Sequence, residues 1–260
     1  MNAKSVIIRS IAGLLYIAMV IVNFLANSLP INNQTTGEIS DAYPNLFTPA
    51  GLTFSIWGLI YILLAGFVIY QFIAFAREGA QKKELLLQKV NLLFALTSIS
   101  NIAWIFTWHH DFIGISVILM LGLLFFLIRI ADVLRSAQLS KWEKVWISLP
   151  FSVYFGWITV ATIANITVFL VSLDWGAFGI PDFIWTSLIL LVGAGIGIMR
   201  MRKDRKPAYG FVLIWAYLGI LLSHLSPSGF DGEFPVIIIT LLVCVVVLAY
   251  YIGRLLFIRS

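Results

Sequence analysis

Aromatic and amide side chains recur at helical spacings in three stretches of the chain. The first stretch places three aromatic rings on one helical face, and the other two each place an amide on the same face as an indole ring. These residues are Phe54, Trp57 and Tyr61, then Asn101 and Trp104, and finally Trp157 and Asn165. A flat apolar ring beside a polar atom is the lining that a planar, mostly apolar ligand requires. We therefore take these residues as the candidate ligand-binding residues.

Each pattern also has a structural interpretation, which the sequence alone leaves open. An aromatic stripe in an apolar helix commonly packs against other helices or anchors the helix at the membrane interface. An asparagine inside a helix, such as Asn23, Asn101 or Asn165, needs a partner, which is either a polar group on another helix or a ligand. The same residues therefore predict either helix–helix contacts or a pocket.

Histidines are the other side chains with chemistry to offer. We predict that His109, His110 and His224 lie at the outer face of the membrane, where imidazole can ligate haem iron or another metal ion. The sequence has no metal-site spacing, nucleophilic triad, phosphate loop or dinucleotide fingerprint. We therefore expect no enzyme, no catalytic residue, no metal ligand and no cofactor, and a porphyrin or haem would be bound as the ligand itself.

Composition predicts the elements that position these side chains. The chain of 260 residues is 61% hydrophobic and 11% charged, whereas a globular domain carries about 25% charged residues. We therefore predict an all-α, polytopic membrane bundle of about eight transmembrane helices, each built on an apolar run near the ~17–25 residues that cross a bilayer. The predicted spans are Val6–Leu29, Leu52–Ala76, Leu85–Trp108, Phe112–Val133, Val145–Val171, Phe183–Ile198, Tyr209–Leu225 and Phe234–Leu256.

The placement of the charges predicts the orientation of the chain. All 17 lysine and arginine residues lie on the side that holds the N-terminus, the second, fourth and sixth loops and the C-terminus, either in these segments or at the adjoining ends of the spans. The positive-inside rule then places both termini in the cytoplasm, and we expect the plasma (inner) membrane. The net charge of +5 is therefore a topology signal and does not indicate nucleic-acid binding. We expect the first run, which follows Lys4 and Arg9, to be a retained helix and not a cleaved signal peptide.

Further features concern the loops and the interior of the helices. The segment from Pro30 to Pro49 is long and polar, and we predict that it covers a cavity at the outer face.

Pro150 lies one turn inside the fifth run, where it should free a carbonyl group and bend the helix. Gly193 and Gly197 have the spacing of a close contact between helices.

The three stretches resemble the tryptophan-rich sensory protein/translocator family (TspO/MBR). Trp57-Gly58-Leu59-Ile60-Tyr61 is similar to the Trp-x-x-x-Tyr of that family's second helix. Asn101-Ile102-Ala103-Trp104 is similar to the Asn-x-x-Trp of its third helix, and Trp157 with Asn165 resembles its fifth-helix pattern. The stretches occur in the family's order after a long first loop, and the resemblance covers residues 1–171.

The resemblance implies a five-helix bundle over residues 1–171 whose pocket is closed by the first loop, with residues 172–260 as an additional three-helix transmembrane segment. It implies that the ligand is a porphyrin or another tetrapyrrole. The residues that it implies for the pocket are Trp57, Asn101, Trp104, Trp157 and Asn165. The sequence departs from the family at Ser55, where the family usually has proline, and it lacks the family's sterol-contact tyrosine and arginine in residues 166–173.

The expected function is therefore an integral membrane receptor, sensor or carrier that binds a planar hydrophobic ligand. The expected partners are the lipid bilayer and a small hydrophobic ligand, with a homodimer as an open alternative and without nucleic acid. Two other functions stay open at this point. One is a membrane enzyme that acts on a tetrapyrrole or a lipid, and the other is a structural or regulatory membrane partner that docks through the last three helices.

Overall fold

The computed structural model describes residues 3–29, 31–74 and 81–257, and within these ranges it contains helices, turns and loops but no strand. A helix pairs its own backbone N–H and C=O groups, which is what a chain inside lipid requires. We number the eight long helices α1 to α8. They are α1 Ala3–Ser28, α2 Ile56–Ala74, α3 Gln81–His109, α4 Ile113–Arg135, α5 Leu149–Ser172, α6 Asp182–Asp204, α7 Pro207–Leu225 and α8 Pro235–Phe257.

Each of the eight long helices is long and apolar enough to cross a membrane. This confirms the predicted fold class, a polytopic helical bundle with about eight spans. Large apolar side chains stay exposed along the helices, as at Leu14, Ile62 and Val246, which are 67%, 71% and 67% exposed. Such surfaces suit contact with lipid tails, and the chain is an integral membrane protein. The side of the membrane on which the termini lie stays a prediction.

The chain divides into two compact units. The first unit comprises Met1–Thr36 and Trp57–Phe155, and the second comprises Gly37–Ile56 and Gly156–Ser260. Helix α5 therefore contributes residues 149–155 to the first unit and residues 156–172 to the second. The predicted division of the chain at residue 171 stays a prediction.

Aromatic packing forms the centre of the first unit. The rings of Phe67 in α2, Phe94 in α3 and Phe151 in α5 contact one another edge to face, with centroids 4.9, 5.4 and 5.7 Å apart. All three side chains are buried. Lipid tails are as apolar as these rings, so close van der Waals packing, and not escape from water, holds the helices together here.

A π-helical turn, Lys144–Ser148, accommodates Pro150 directly before the start of α5. Proline has no N–H to donate, and its ring collides with the carbonyl group one turn earlier, so a wider turn relieves the conflict. The amide of Leu149 donates to the carbonyl of Lys144, five residues back. The ring of Trp146 in this turn packs on Gly66 of α2, where a Cβ atom would come within 2.6 Å of the indole. The disturbance expected at Pro150 thus takes the form of a π turn.

Small residues allow the helices of the second unit to approach closely. A Cβ atom at Gly193 of α6 would lie 2.7 Å from the hydroxyl oxygen of Tyr217 in α7, and Gly197 packs against Leu213 of α7. The Tyr217 hydroxyl donates to the carbonyl of Leu190 in α6, at 2.6 Å. The predicted close contact at Gly193 and Gly197 is therefore confirmed, and it lies inside this unit.

Candidate ligand-binding site

The predicted site residues fall into two groups, one in each unit. The first unit holds Trp57, Tyr61, Asn101 and Trp104, and the second holds Phe54, Trp157 and Asn165. The predicted aromatic stripe is interrupted, because Phe54 lies in the 3-10 turn Gly51–Ser55 and α2 begins only at Ile56. Convergence of the two groups on one cavity stays a prediction.

Trp57 contacts two phenol rings within the first unit. Its indole stacks on Tyr61, one turn later in α2, with ring centroids 5.6 Å apart and planes inclined by 21°. It also contacts Tyr154 of α5 edge to face, at 6.0 Å and 64°. The Tyr16 hydroxyl of α1 donates to the Tyr61 carbonyl at 2.8 Å, which ties α1 to the same turn of α2. Three helices thus position one aromatic cluster around Trp57.

Asn101 of α3 supplies the amide of this cluster and is 1% exposed. Its Oδ1 atom accepts a hydrogen bond from Asn23 Nδ2 of α1, at 2.6 Å. Its amide lies beside the Tyr154 hydroxyl. Among the residues that the structure describes, the buried atoms Asn101 Nδ2, Tyr61 Oη and Tyr154 Oη have no hydrogen-bond partner. We call these three atoms the open donors; one half of the Asn101 amide joins two helices, and the other half is open.

Trp104 lies one turn after Asn101, near the C-terminal end of α3. Residues at this end of the helix contact the first loop. Trp104 stacks on Trp108, with centroids 5.6 Å apart. Trp108 Nε1 donates to the carbonyl of Thr36 at 3.2 Å. The buried ring of His109 lies 3.1 Å from Thr36 Oγ1 through Nε2 and 3.2 Å from the carbonyl of Ile31 through Nδ1. The start of the first loop is therefore tied to the end of α3.

The second unit contains the other aromatic pair. Phe54 meets Trp157 of α5 edge to face, with centroids 5.9 Å apart and planes at 84°. Trp157 and Asn165, two turns later on α5, are each 3% exposed. Trp215 Nε1 of α7 donates to the carbonyl of Thr53 at 2.9 Å. This bond holds the 3-10 turn that carries Phe54 against α7.

His224 of α7 holds the later part of the first loop in the second unit. Its Nε2 atom lies 2.9 Å from the Leu46 carbonyl, and its ring stacks on Phe230 at 4.6 Å. A carbonyl oxygen only accepts, so Nε2 carries the proton in this bond. No group of three or more His, Cys, Asp or Glu side chains that could hold a metal ion occurs in the described part of the chain.

Some side chains of the candidate site and of the loop contacts were not predicted from the sequence. Tyr154 was not among the predicted site residues, although an aromatic residue three positions before Trp157 was a signal on the same helix. The loop contacts of His109 and His224 were missed as well. Their position in the last turn of a helix was the available signal, because the last carbonyl groups of a helix attract such side chains.

A family model described as TSPO-like protein matches residues 9–254 of the chain. The match extends past residue 171 and includes α6, α7 and nearly all of α8. No curated protein and no solved structure matches the chain significantly.

Proposed function

The chain belongs to the TSPO-like family, and we propose that it is a non-enzymatic membrane sensor or carrier for a planar, mostly apolar ligand with the chemistry of a porphyrin. The family is of the membrane sensor or transporter type and is generally non-enzymatic. The ligand would lie against Trp57 in the first unit, in contact with Tyr61, Tyr154 and Asn101.

The single observation that carries this proposal is the set of open donors around Trp57. A buried polar group that is left unpaired costs about 1–3 kcal/mol, so such groups are usually satisfied. All three can donate a hydrogen bond, since two are phenol hydroxyls and the third is an amide N–H. A ligand that offers acceptor atoms would recover this energy.

A porphyrin combines the two properties that the cluster selects. Its flat ring offers a face for stacking on the indole of Trp57, and aromatic pairs contribute about 0.5–1.5 kcal/mol beyond the burial of their area. Its carboxylate oxygens are acceptors for the open donors. Recognition by a few placed polar groups in an apolar, aromatic lining is the usual design of a small-molecule site.

The two other functions have less support. A membrane enzyme would need a group that transfers protons or activates the ligand, and in the Trp57 cluster only the phenols of Tyr61 and Tyr154 could do so. A partner protein that docks through the last three helices was suggested by Gly193 and Gly197, but these glycines pack inside the second unit. We therefore retain the receptor or carrier.

The decisive experiment is a titration of the purified protein with protoporphyrin IX, followed by quenching of tryptophan fluorescence. Tyr154→Phe removes one open donor together with the contact between its hydroxyl and the Asn101 amide. We expect this variant to be as stable as the parent chain or more stable, and to bind about 2- to 12-fold more weakly, the equivalent of one hydrogen bond. Lower affinity without lower stability is the signature of a ligand contact.

Tyr16→Phe is the matched control, because its hydroxyl is already paired with the Tyr61 carbonyl. This variant should lose stability and keep its affinity. Unsaturable quenching, or equal affinities for Tyr154→Phe and the parent chain, would overturn the proposed site. A change of the bound pigment's absorbance under illumination would favour the enzyme instead. For Phe54, Trp157 and Asn165 a ligand-binding role stays a prediction, which the same titration of Trp157→Phe examines.

A further inference from the structure

A second buried polar group of residues lies in the first unit, one helical turn from the phenylalanine cluster of Phe67, Phe94 and Phe151. In α2 the turn after Phe67 brings Gln71, and in α3 the turn before Phe94 holds Asn91. Ser148, the last residue of the π turn, lies one helical turn before Phe151. We call Gln71, Asn91 and Ser148 the polar layer.

The polar layer is fully enclosed and partly paired. Gln71, Asn91 and Ser148 are 0%, 1% and 2% exposed. Asn91 Nδ2 donates to Gln71 Oε1 at 2.7 Å and to the Leu87 carbonyl at 2.8 Å. These two bonds fix the orientation of both amides, because only the nitrogen of Asn91 can donate to a carbonyl oxygen.

Three atoms of the polar layer lack a hydrogen-bond partner among the described residues. Within the described ranges, Gln71 Nε2, Asn91 Oδ1 and Ser148 Oγ have no hydrogen-bond partner. They comprise one donor, one acceptor and one hydroxyl that can act as either. The open donors near Trp57 differ from this set, since Asn91 Oδ1 can only accept. The polar layer therefore selects a group that accepts and donates at the same time.

The charges next to the layer indicate that this group is uncharged. Arg9 is 2% exposed and donates from Nη1 to the Gln71 carbonyl at 3.3 Å, and from Nη2 to Ser5 Oγ at 3.4 Å. Glu84 in the first turn of α3 acts on Arg9 with the opposite charge. A charged ligand would therefore add a further buried charge beside this pair. An isolated ion would also be expensive to bury here.

We propose that the polar layer is a second ligand site, which binds the planar, uncharged end of a small amphipathic molecule, either a primary carboxamide or an un-ionised carboxyl group. The carbonyl oxygen of such a group accepts from Gln71 Nε2 and Ser148 Oγ. Its N–H or O–H donates to Asn91 Oδ1. The apolar remainder of the molecule lies against the phenylalanine cluster. This site is independent of porphyrin binding, and failure of the porphyrin titration leaves it intact.

The test uses the full chain in lipid nanodiscs and small probes observed by saturation-transfer NMR. Propionamide is the first probe, and N,N-dimethylpropionamide is its control because it keeps the acceptor and lacks the N–H donors. Propionic acid at acidic and at neutral pH is the second probe, and binding only at acidic pH would identify the un-ionised carboxyl group as the preferred end group. We expect saturable binding of propionamide, of the un-ionised acid, or of both, and no saturable binding of the dimethyl control.

Ser148→Ala should weaken binding of the probe about fivefold, as expected for one lost hydrogen bond. It removes no hydrogen bond of the described side chains and should therefore fold. Asn91→Leu, a second variant, should weaken binding at least as much. Ser98→Ala is the control, because Ser98 is as deeply buried in α3 but its hydroxyl donates to the Phe94 carbonyl at 3.0 Å.

Two results would overturn the proposal. One is equal affinity of the parent chain and Ser148→Ala for the probe that binds. The other is that neither probe binds saturably, or that propionamide and its dimethyl control bind saturably with equal affinity. If neither probe binds saturably, ordered water alone satisfies the polar layer.

Discussion

The pair Asn23 and Asn101 offers a prediction that separates helix packing from ligand binding. Both residues take part in one hydrogen bond of 2.6 Å between α1 and α3, so Asn23→Leu and Asn101→Leu each remove the same bond. Hydrogen bonds between membrane helices contribute about 0.6 kcal/mol on average and up to about 1.7 kcal/mol. Leucine has the same number and branching of side-chain heavy atoms as asparagine and is the larger residue, so neither change leaves a cavity.

The two variants should differ in stability. Asn23→Leu leaves the whole amide of Asn101 buried without a hydrogen-bond partner among the described residues. Asn101→Leu instead removes that amide, including the Nδ2 atom that has no such partner in the parent chain. Asn23 keeps its bond to the Met19 carbonyl, at 2.8 Å, when Asn101 is replaced. We therefore expect Asn23→Leu to lose about 1–3 kcal/mol and Asn101→Leu to lose about 1 kcal/mol or less.

Their ligand affinities should differ in the opposite order. Asn101→Leu removes an open donor and should bind protoporphyrin IX about 2- to 12-fold more weakly, while Asn23→Leu should keep the affinity of the folded parent chain. Unfolding followed by circular dichroism in detergent gives the stability, and fluorescence titration gives the affinity. The reasoning is wrong if both variants lose equal affinity, or if Asn101→Leu is the less stable of the two.

Two further predictions concern packing and the first loop. Gly156→Ala should destabilise the protein by about 1–3 kcal/mol, because a Cβ atom there would lie 2.9 Å from the backbone carbonyl oxygen of Tyr209. Gly195→Ala is the control, because a Cβ atom there meets no described atom within 4 Å. This variant should be neutral or stabilising by up to about 1 kcal/mol. Equal denaturation midpoints for the two variants would contradict this. His224→Phe keeps an aromatic ring but loses the bond to the Leu46 carbonyl, so proteinase K should cut the first loop about 2- to 12-fold faster. His110→Phe, at an exposed position, should leave that cleavage rate unchanged, and similar rates in both variants would show that the bond does not hold the loop.

Much of the architecture could be predicted because its signals are local. Runs of apolar residues near the length of a span gave eight helices, and the short sixth and seventh runs were correctly included. The small-residue spacing of Gly193 and Gly197 predicted a close helix contact, which the structure confirms. Pro150 was correctly predicted to disturb the helix, but the disturbance is a π turn and not the predicted bend. Both arise because proline has no N–H group to donate.

The candidate site was predictable only in part. Helical spacing predicted Trp57 and Tyr61 on one helical face and Asn101 with Trp104 on another. The structure brings Tyr154 to the ring of Trp57 and to the amide of Asn101. The same spacing placed Phe54 in the stripe, because α-helical periodicity was assumed through the 3-10 turn. A change of helix type within one stretch has no clear signal in apolar sequence.

The sequence by itself determined the class of protein, the number of spans and the family, because composition, run length and short motifs are properties of the chain in order. Only the tertiary structure decided which buried polar atoms are paired. Asn101 Oδ1 meets Asn23, and Asn91 Nδ2 meets Gln71, across 78 and 20 residues of sequence. Whether the remaining atoms of these amides have partners depends on helix rotation and register, which no local pattern encodes. The two candidate sites rest on those atoms.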